Sequence, residues 1–498
     1  MNNKLIEEYR HSKEGYNPYL IGPKWQVAQL NYKPDLAPSA IKKIDVHHNT
    51  DETFLLMAGQ AVLIAAEIQQ NSMLFEVINM KAKVLYNIPR GCWHNVALST
   101  DAEVLITEDA NTHLGDYEFH YLKEEEQKEL NELIESVWEK YTIYKMNNLN
   151  KSFEPDYNNI LAVLYNKKPE RIPLYEHHID APFISQIRGK EIVLNGNKAS
   201  DYEEYYKQIT SFWKDLTYDA FDYEAAICDI FPDHGAILGG RPGPIQNRDD
   251  FEKYPFDDIP RIFWETYTPH LEAIRKVMPS GMKAFGGCGY GIFESSQDLV
   301  GYEYLCVLQY TDPELFRDIF LKIGSLYEEL WTEMLLRYGD LFVFCRMGDD
   351  LGFKTSTLLE PDTIRTNILP QYKRVIDIVH KAGKKFLLHS CGNIFSLMDD
   401  IIALGIDAKH SNEDEIAPFE KWIELYADRI GLFGGIDVNI ICLNSYDDVF
   451  KIVLEKGKKY RNTAFGYGIG SGNSIAGYVP EEGFQAMIDA VNEIRKTG

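Results

Sequence analysis

Up to about residue 120, apolar residues come in short runs separated by turn residues: KWQVAQLNY, TFLLMAGQAVLIAAEI, SMLFEVINM, KVLYNIP and AEVLITED. β-Branched and aromatic residues recur in them, so they predict a small all-β domain over residues 1–120. The texture then changes. From Lys123 to Lys145, Leu130, Leu133, Ile134 and Val137 recur at helical spacing among Glu and Lys runs. This predicts an amphipathic helix in a connector over 121–154, with the boundary in MNNLNKSFEPDYNN.

From residue 155 to 498 strands alternate with long helices. Strands are expected at Ile172–Tyr175, Ala225–Cys228, Lys283–Gly286, Leu341–Cys345, Lys385–His389, Ala408–His410, Ile430–Gly434 and Thr463–Tyr467. Helical patterns fill the gaps. One runs from Pro313 to Tyr338 behind the N-cap Asp312, and another from Pro361 to Lys381 before the C-cap Gly383. Eight strand–helix units point to an α/β fold, a (β/α)8 barrel. A doubly wound sheet is the alternative, but no GxGxxG follows the first strand.

Charge narrows the partners. Fifty-one Lys and Arg face 76 Asp and Glu, a formal net charge of -25. Such a field disfavours nucleic acid and anionic membrane surfaces but leaves room for a small molecule in a local pocket. No run approaches the roughly 20 apolar residues of a membrane span, and the polar start lacks a signal-peptide core, so a cytoplasmic protein is expected. The seven cysteines are odd in number and irregularly spaced, which predicts reduced thiols, with Cys228 and Cys345 as inert core residues.

In a barrel, chemistry gathers where strands end and loops begin. The first predicted strand is followed by Glu176, His177, His178 and Asp180, and the second by Asp229, Asp233 and His234. Cys288 and Glu294 follow the third, and Arg346, Asp349, Asp350 and Lys354 the fourth. His389 and Cys391 follow the fifth, His410 and Glu413 the sixth, Asp437 the seventh and Asn473 the eighth. This predicts one rim carrying Glu176, His177, Asp349, Asp350 and Asn473 as catalytic candidates. His389 and Cys391 are the metal candidates there, and Glu294, Lys354, His410 and Asp437 line the substrate. A His and a Cys two apart at a strand end can both face one zinc ion.

The segments RIPLYE, GDDLGF, LLHSCGNIFSLMDDIIALGID, GGID and GSGNSIAGYVPEEGFQAM, spread over most of 155–498, resemble the uroporphyrinogen decarboxylase-like superfamily. That resemblance implies either a cofactor-free decarboxylase or a zinc-dependent methyltransferase working with a corrinoid protein. True decarboxylases carry two arginines after the first strand, whereas LYEHHIDAPFISQ has none. The methyltransferase arm implies zinc on the His389 and Cys391 pair plus a third thiolate, whose position here is Asn473. Glu176, His177, Asp349, Glu294 or Cys288 would then have to complete the shell.

VHHNTDETFLLMAGQAVLI and IPRGCWHN resemble the two half-motifs of the cupin superfamily, a small β-barrel. The resemblance implies a divalent metal on His47, Glu52 and His94. The remaining ligand position is Asp45, with His48 as a substitute. Three readings follow for the whole chain. It is a methyltransferase-like enzyme acting on a small molecule with a corrinoid protein as partner, a metal-free decarboxylase or lyase, or a ligand-binding regulator. In the regulator the cupin is a sensor, and a homodimer is compatible with that domain.

Overall fold

The structure is a computed structural model and describes residues 7–9, 11, 13–69, 72–81, 84–100, 102–147 and 153–496. The chain divides into two compact units, which meet in sequence at residues 147 and 148.

The first unit is built on ten strands: β1 (Gly15–Ile21), β2 (Trp25–Asn31), β3 (Lys43–Val46), β4 (Glu52–Ala58), β5 (Ala61–Gln69), β6 (Ser72–Asn79), β7 (Leu85–Ile88), β8 (Trp93–Leu98), β9 (Glu103–Asp109) and β10 (Glu118–Tyr121). They form two antiparallel five-stranded sheets, in the orders β1-β2-β9-β4-β7 and β10-β3-β8-β5-β6. Period-two alternation sends one face of each strand inward. In β9 those residues are Val104, Ile106 and Glu108. The helix expected over Lys123–Lys145 spans Glu124–Asn147 and buries Leu130 and Ile134 in this unit's core. Four strands escape the hydrophobic pattern: β1, β3, β8 and β10. β3 and β8 are short and give inward or neighbouring positions to polar residues, Asp45, His94 and Asn95 among them.

In the second unit β11 (Ala220–Ala226), β12 (Lys283–Gly289), β13 (Phe342–Gly348), β14 (Phe386–His389), β15 (Ala408–His410), β16 (Gly431–Ile436) and β17 (Tyr467–Ser471) pair in sequence order in one parallel sheet, with helices between them. β13, β14, β16 and β17 are buried at every residue, as strands covered on both faces must be. The first expected strand pairs only through Leu174, which bridges to Ile469 of β17, with Tyr175 N–H on Ile469 O at 3.0 Å and Ile469 N–H on Pro173 O at 3.0 Å. A Cβ on Gly470 would lie 1.7 Å from Tyr175 O, so only glycine admits this approach. Aromatic rings from this segment, β12, β13 and β16 meet in the interior: Tyr175 lies 5.0 Å from Phe285 and 4.7 Å from Phe433, and Phe285 stacks on Phe344 at 5.2 Å.

Three expectations need correction. The second strand is Ala220–Ala226 rather than Ala225–Cys228, because Cys228 already belongs to a 3-10 turn. The last is Tyr467–Ser471 rather than Thr463–Tyr467, because the preceding helix runs through Thr463. The helix from Pro361 to Lys381 is two helices, Pro361–Asn367 and Leu369–Lys381, since Pro370 cannot continue the ladder of the first. The Pro313–Tyr338 helix is continuous, and Asp312 caps it by accepting Leu315 N–H at 2.9 Å.

Candidate active site and metal centres

The C-terminal ends of β14 and β15 place His389 and His410 side by side. His410 is fully buried, and its Nε2 lies 3.0 Å from Ser471 O. A carbonyl only accepts, so Nε2 carries the proton. Burial pushes the His410 pKa down to about 3, so the ring is neutral and Nδ1 is a bare acceptor. His389 Nδ1 sits 2.7 Å from that atom and must be the donor. His389 Nε2 is therefore a lone pair. It faces Cys391 Sγ at 3.4 Å and Asp350 Oδ1 at 3.9 Å. The hydrogen bonds fix the tautomer that a metal ligand needs.

The carboxylate facing the pair is Asp350, which also accepts Cys391 N–H at 2.8 Å. Asn473 Nδ2 and Ser411 Oγ each donate to Cys391 Sγ at 3.4 Å. Burial, then Asp350, pushes the Cys391 thiol up. The donors Asp350, His389 and Cys391 lie within 4.8 Å of one another. Metal bonds of about 2.1 Å to nitrogen and 2.3 Å to sulfur in a tetrahedron put the two ligand atoms about 3.6 Å apart, so this set fits zinc. His177 stacks on His389, with centroids 3.5 Å apart and planes 13° apart, and burial with nearby Arg346 holds it well below its usual range.

Glu176 joins this cluster through Ser471. It is fully buried, accepts Ser471 N–H and Oγ–H and, at 3.3 Å, Tyr218 O–H, and burial lifts its pKa to about 8. Arg346, also fully buried, is paired at 2.8 Å with both Asp222 and Glu224 and donates to His177 O. Burial would lower its pKa, but those two carboxylates hold it up. Asp222 in turn lies 2.6 Å from His178 Nδ1.

The remaining candidates have other first partners, although Asp349 N–H donates to His389 O at 2.9 Å. Asp349 accepts Phe293 N–H at 2.9 Å, Glu294 N–H at 2.8 Å and Tyr372 O–H at 2.6 Å, so it anchors the start of the Ile292–Val300 helix. Burial raises the Glu294 carboxyl, and Asp349 and Asp350 add to that. Lys354 is more than half exposed and paired with Glu415, and Asp437 caps the Val438–Leu443 helix through Asn439 N–H at 2.7 Å. Cys228, Cys288 and Cys345 are buried. The sequence reading missed Ser411, Asp222 and the tautomer chain. None forms a local motif, because each depends on neighbours far along the chain.

The first unit holds a second cluster. His47 Nδ1 points at Asp116 O at 2.5 Å and His94 Nδ1 at Cys92 O at 3.0 Å. Both carbonyls accept, so both rings present Nε2 to the interior. There Glu52 Oε2 lies 3.2 Å from His47 Nε2 and 2.6 Å from His94 Nε2. Asp45 Oδ2 is 4.0 Å from His47 Nε2 and groups with both imidazoles within 4.8 Å. Burial opposes the charge on Glu52, yet the two imidazoles hold its pKa down to about 2, and the same contacts lift His47 to about 9 against its own burial. His48, expected as a substitute ligand, turns outward to Glu118. Two imidazoles with oxygen donors 2.6–4.0 Å away suit a divalent cation, whose ligands at about 2.1 Å lie about 3.0 Å apart when adjacent and about 4.2 Å when opposite, the 2.6 Å pair opening slightly to admit it.

Among the described residues no helix is long and apolar enough to cross a membrane. No curated protein sequence matches the chain. Among solved structures, a methyltransferase from Methanosarcina mazei is similar, with 16% identity, a TM-score of 0.52, and coverage of 68% of this chain and 99% of that one. A cupin-2 domain containing protein from Shewanella frigidimarina aligns over 20% of this chain and 84% of its own, with 18% identity and a TM-score of 0.15. The profile described as uroporphyrinogen decarboxylase (URO-D) matches residues 241–494, half of the sequence and most of the strand-end residues just described, and the chain belongs to that family.

Proposed function

We propose that this chain is a methyltransferase-like enzyme of the URO-D family. Its second unit closes as a (β/α)8 barrel, with Ile172–Tyr175 as first strand, and its first unit is a cupin-like barrel that binds a divalent metal. The bridge from Leu174 to β17 and the shared ring cluster of Tyr175, Phe285, Phe344 and Phe433 support closure. The observation that carries the activity is the chain Ser471–His410–His389, which leaves the His389 Nε2 lone pair beside Cys391 and Asp350.

His389, Cys391 and Asp350 would hold zinc, with one position left for substrate. Bound zinc supplies a Lewis acid that lowers the pKa of a coordinated thiol or water. Asn473 and Ser411 orient the Cys391 sulfur. Asp349 holds the helix that carries Glu294, and His177 covers the His389 ring. The methyl donor would be a corrinoid carried by a separate protein. A true uroporphyrinogen decarboxylase is disfavoured by the missing carboxylate clamp. The two arginines flanking the LYEHHIDAPFISQ segment are already used, Arg171 on Asp219 and Arg188 on Asp215 at 2.9 Å.

The test is zinc titration by calorimetry, with elemental analysis of protein prepared without a chelating tag. Wild type should take up zinc in the barrel and Cys391→Ser should lose most of that uptake, because a hydroxyl is a poor partner for zinc. No uptake, or uptake unchanged by the substitution, overturns the reading.

A further inference from the structure

Glu108 lies on the inward face at the end of β9 and belongs to neither half-motif of the first unit. It is 5% exposed. Its two oxygens are treated very differently. Oε1 accepts Tyr16 O–H and, at 2.8 Å, Gln26 Nε2–H. The Gln26 amide cannot be reversed, because its Oε1 already accepts Asn111 N–H at 2.7 Å. Nε2 therefore donates, and Glu108 is gripped from behind by two donors. Oε2 accepts no hydrogen bond among the described residues, although it is buried. It points at His47 Nε2, 3.9 Å away, and groups with His47 and Glu52 within 4.8 Å.

Burying one carboxylate oxygen without a hydrogen-bond donor is costly. A pair of donors clamping the other oxygen is the arrangement by which a one-toothed carboxylate ligand is held. The distance from His47 Nε2 falls between the adjacent and opposite ligand spacings of an octahedral site, as does that of Asp45. We propose that Glu108 is a direct metal ligand, so that the site consists of His47, His94, Glu52, Asp45 and Glu108. Three carboxylates and two imidazoles suit a hard, octahedral divalent cation of the manganese or ferrous class. Tyr16 and Gln26 are positioning residues. The proposal rests on the reading of His47, Glu52 and His94 as a metal site.

The test titrates Mn2+ into the full chain and follows the loss of the free-ion paramagnetic resonance signal, comparing wild type with Glu108→Gln, Tyr16→Phe and His94→Ala. Wild type should bind one ion at this site. Glu108→Gln, which keeps the shape and removes the charge, should weaken binding about a hundredfold or more. Tyr16→Phe should weaken it about tenfold, the range for an outer-shell partner. If His94→Ala abolishes binding while Glu108→Gln and Tyr16→Phe bind as wild type does, the metal site stands and the role of Glu108 is overturned. Absence of Mn2+ binding by wild type overturns both. Should Glu108→Gln lack the wild-type circular dichroism spectrum, Tyr16→Phe decides alone: weakened binding supports the role and unchanged binding overturns it.

Discussion

The single residue that organises the barrel site is His410, although it touches neither Cys391 nor Asp350 in the hydrogen-bond pattern. Its Nε2–H is committed to Ser471 O, and its Nδ1 takes the proton-bearing nitrogen of His389. Removing that acceptor leaves His389 free to flip or to protonate on the wrong nitrogen. His410→Leu should therefore weaken zinc binding by about 10- to 100-fold, less than Cys391→Ser does. Calorimetric titration of folded protein checks this, and wild-type affinity in the variant would remove the relay from the account. The sequence pointed to His410 as a strand-end residue, since a strand read correctly gives its terminal side chain. It could not reveal that His410 works through His389, because the contact joins two strands across the sheet. Asp350 and Asp349 illustrate the same limit. Adjacent in sequence and equal as candidates, they point opposite ways, one to Cys391 N–H and the other under a helix start. Glu108 was legible in principle, since AEVLITED alternates and puts Val104, Ile106 and Glu108 on one face.

At the scale of elements, long runs with caps read well and short or polar strands did not. The Pro313–Tyr338 helix carries its own start signal in Asp312, whereas β3 is only four residues long and β8 gives an inward position to His94, so neither shows the long apolar run that marks a strand. The packing of helices on the sheet was not legible, and it creates a pH-sensitive contact. The helix Ala199–Asp215 meets the helix Ile259–Val277 through Tyr206 O–H and His270 Nδ1, 2.7 Å apart. Burial lowers the His270 pKa to about 4 from an ordinary value of 6.5. Between those values the unfolded chain binds the proton and the folded chain does not. Stability is therefore full above pH 6.5 and falls as the pH drops toward 4, by at most about 1.4 kcal/mol per pH unit from this group. Denaturant midpoints at pH 7 and 4.5 should differ less in His270→Gln than in wild type. An equal pH dependence in both proteins would place the acid sensitivity elsewhere.

For the whole molecule, the two units have separate hydrophobic cores. One is centred on residues such as Phe54, Ile64 and Val104, and the other on Phe285, Phe344, Trp331 and Phe433. Each unit carries its own set of side chains able to ligate a metal, and the two sets differ in character. The first unit offers oxygen and imidazole donors, Glu52, Glu108, Asp45, His47 and His94. The second offers a sulfur donor in Cys391 beside His389. A ligand that binds only the folded form of one core raises the stability of that core, by about 2.7 kcal/mol when present at a hundredfold excess over its dissociation constant. A domain with its own core can in principle fold alone. Differential scanning calorimetry of the full chain should then resolve two transitions. Mn2+, a poor partner for thiolate, should raise one of them, and Glu108→Gln should cancel that rise. Zinc, which imidazole and carboxylate donors also accept, should raise the other transition as well, and Cys391→Ser should cancel that second rise without touching the manganese response. A single unfolding transition, or a manganese shift lost in Cys391→Ser, would mean that the two cores unfold as one and that the sites cannot be assigned to separate units.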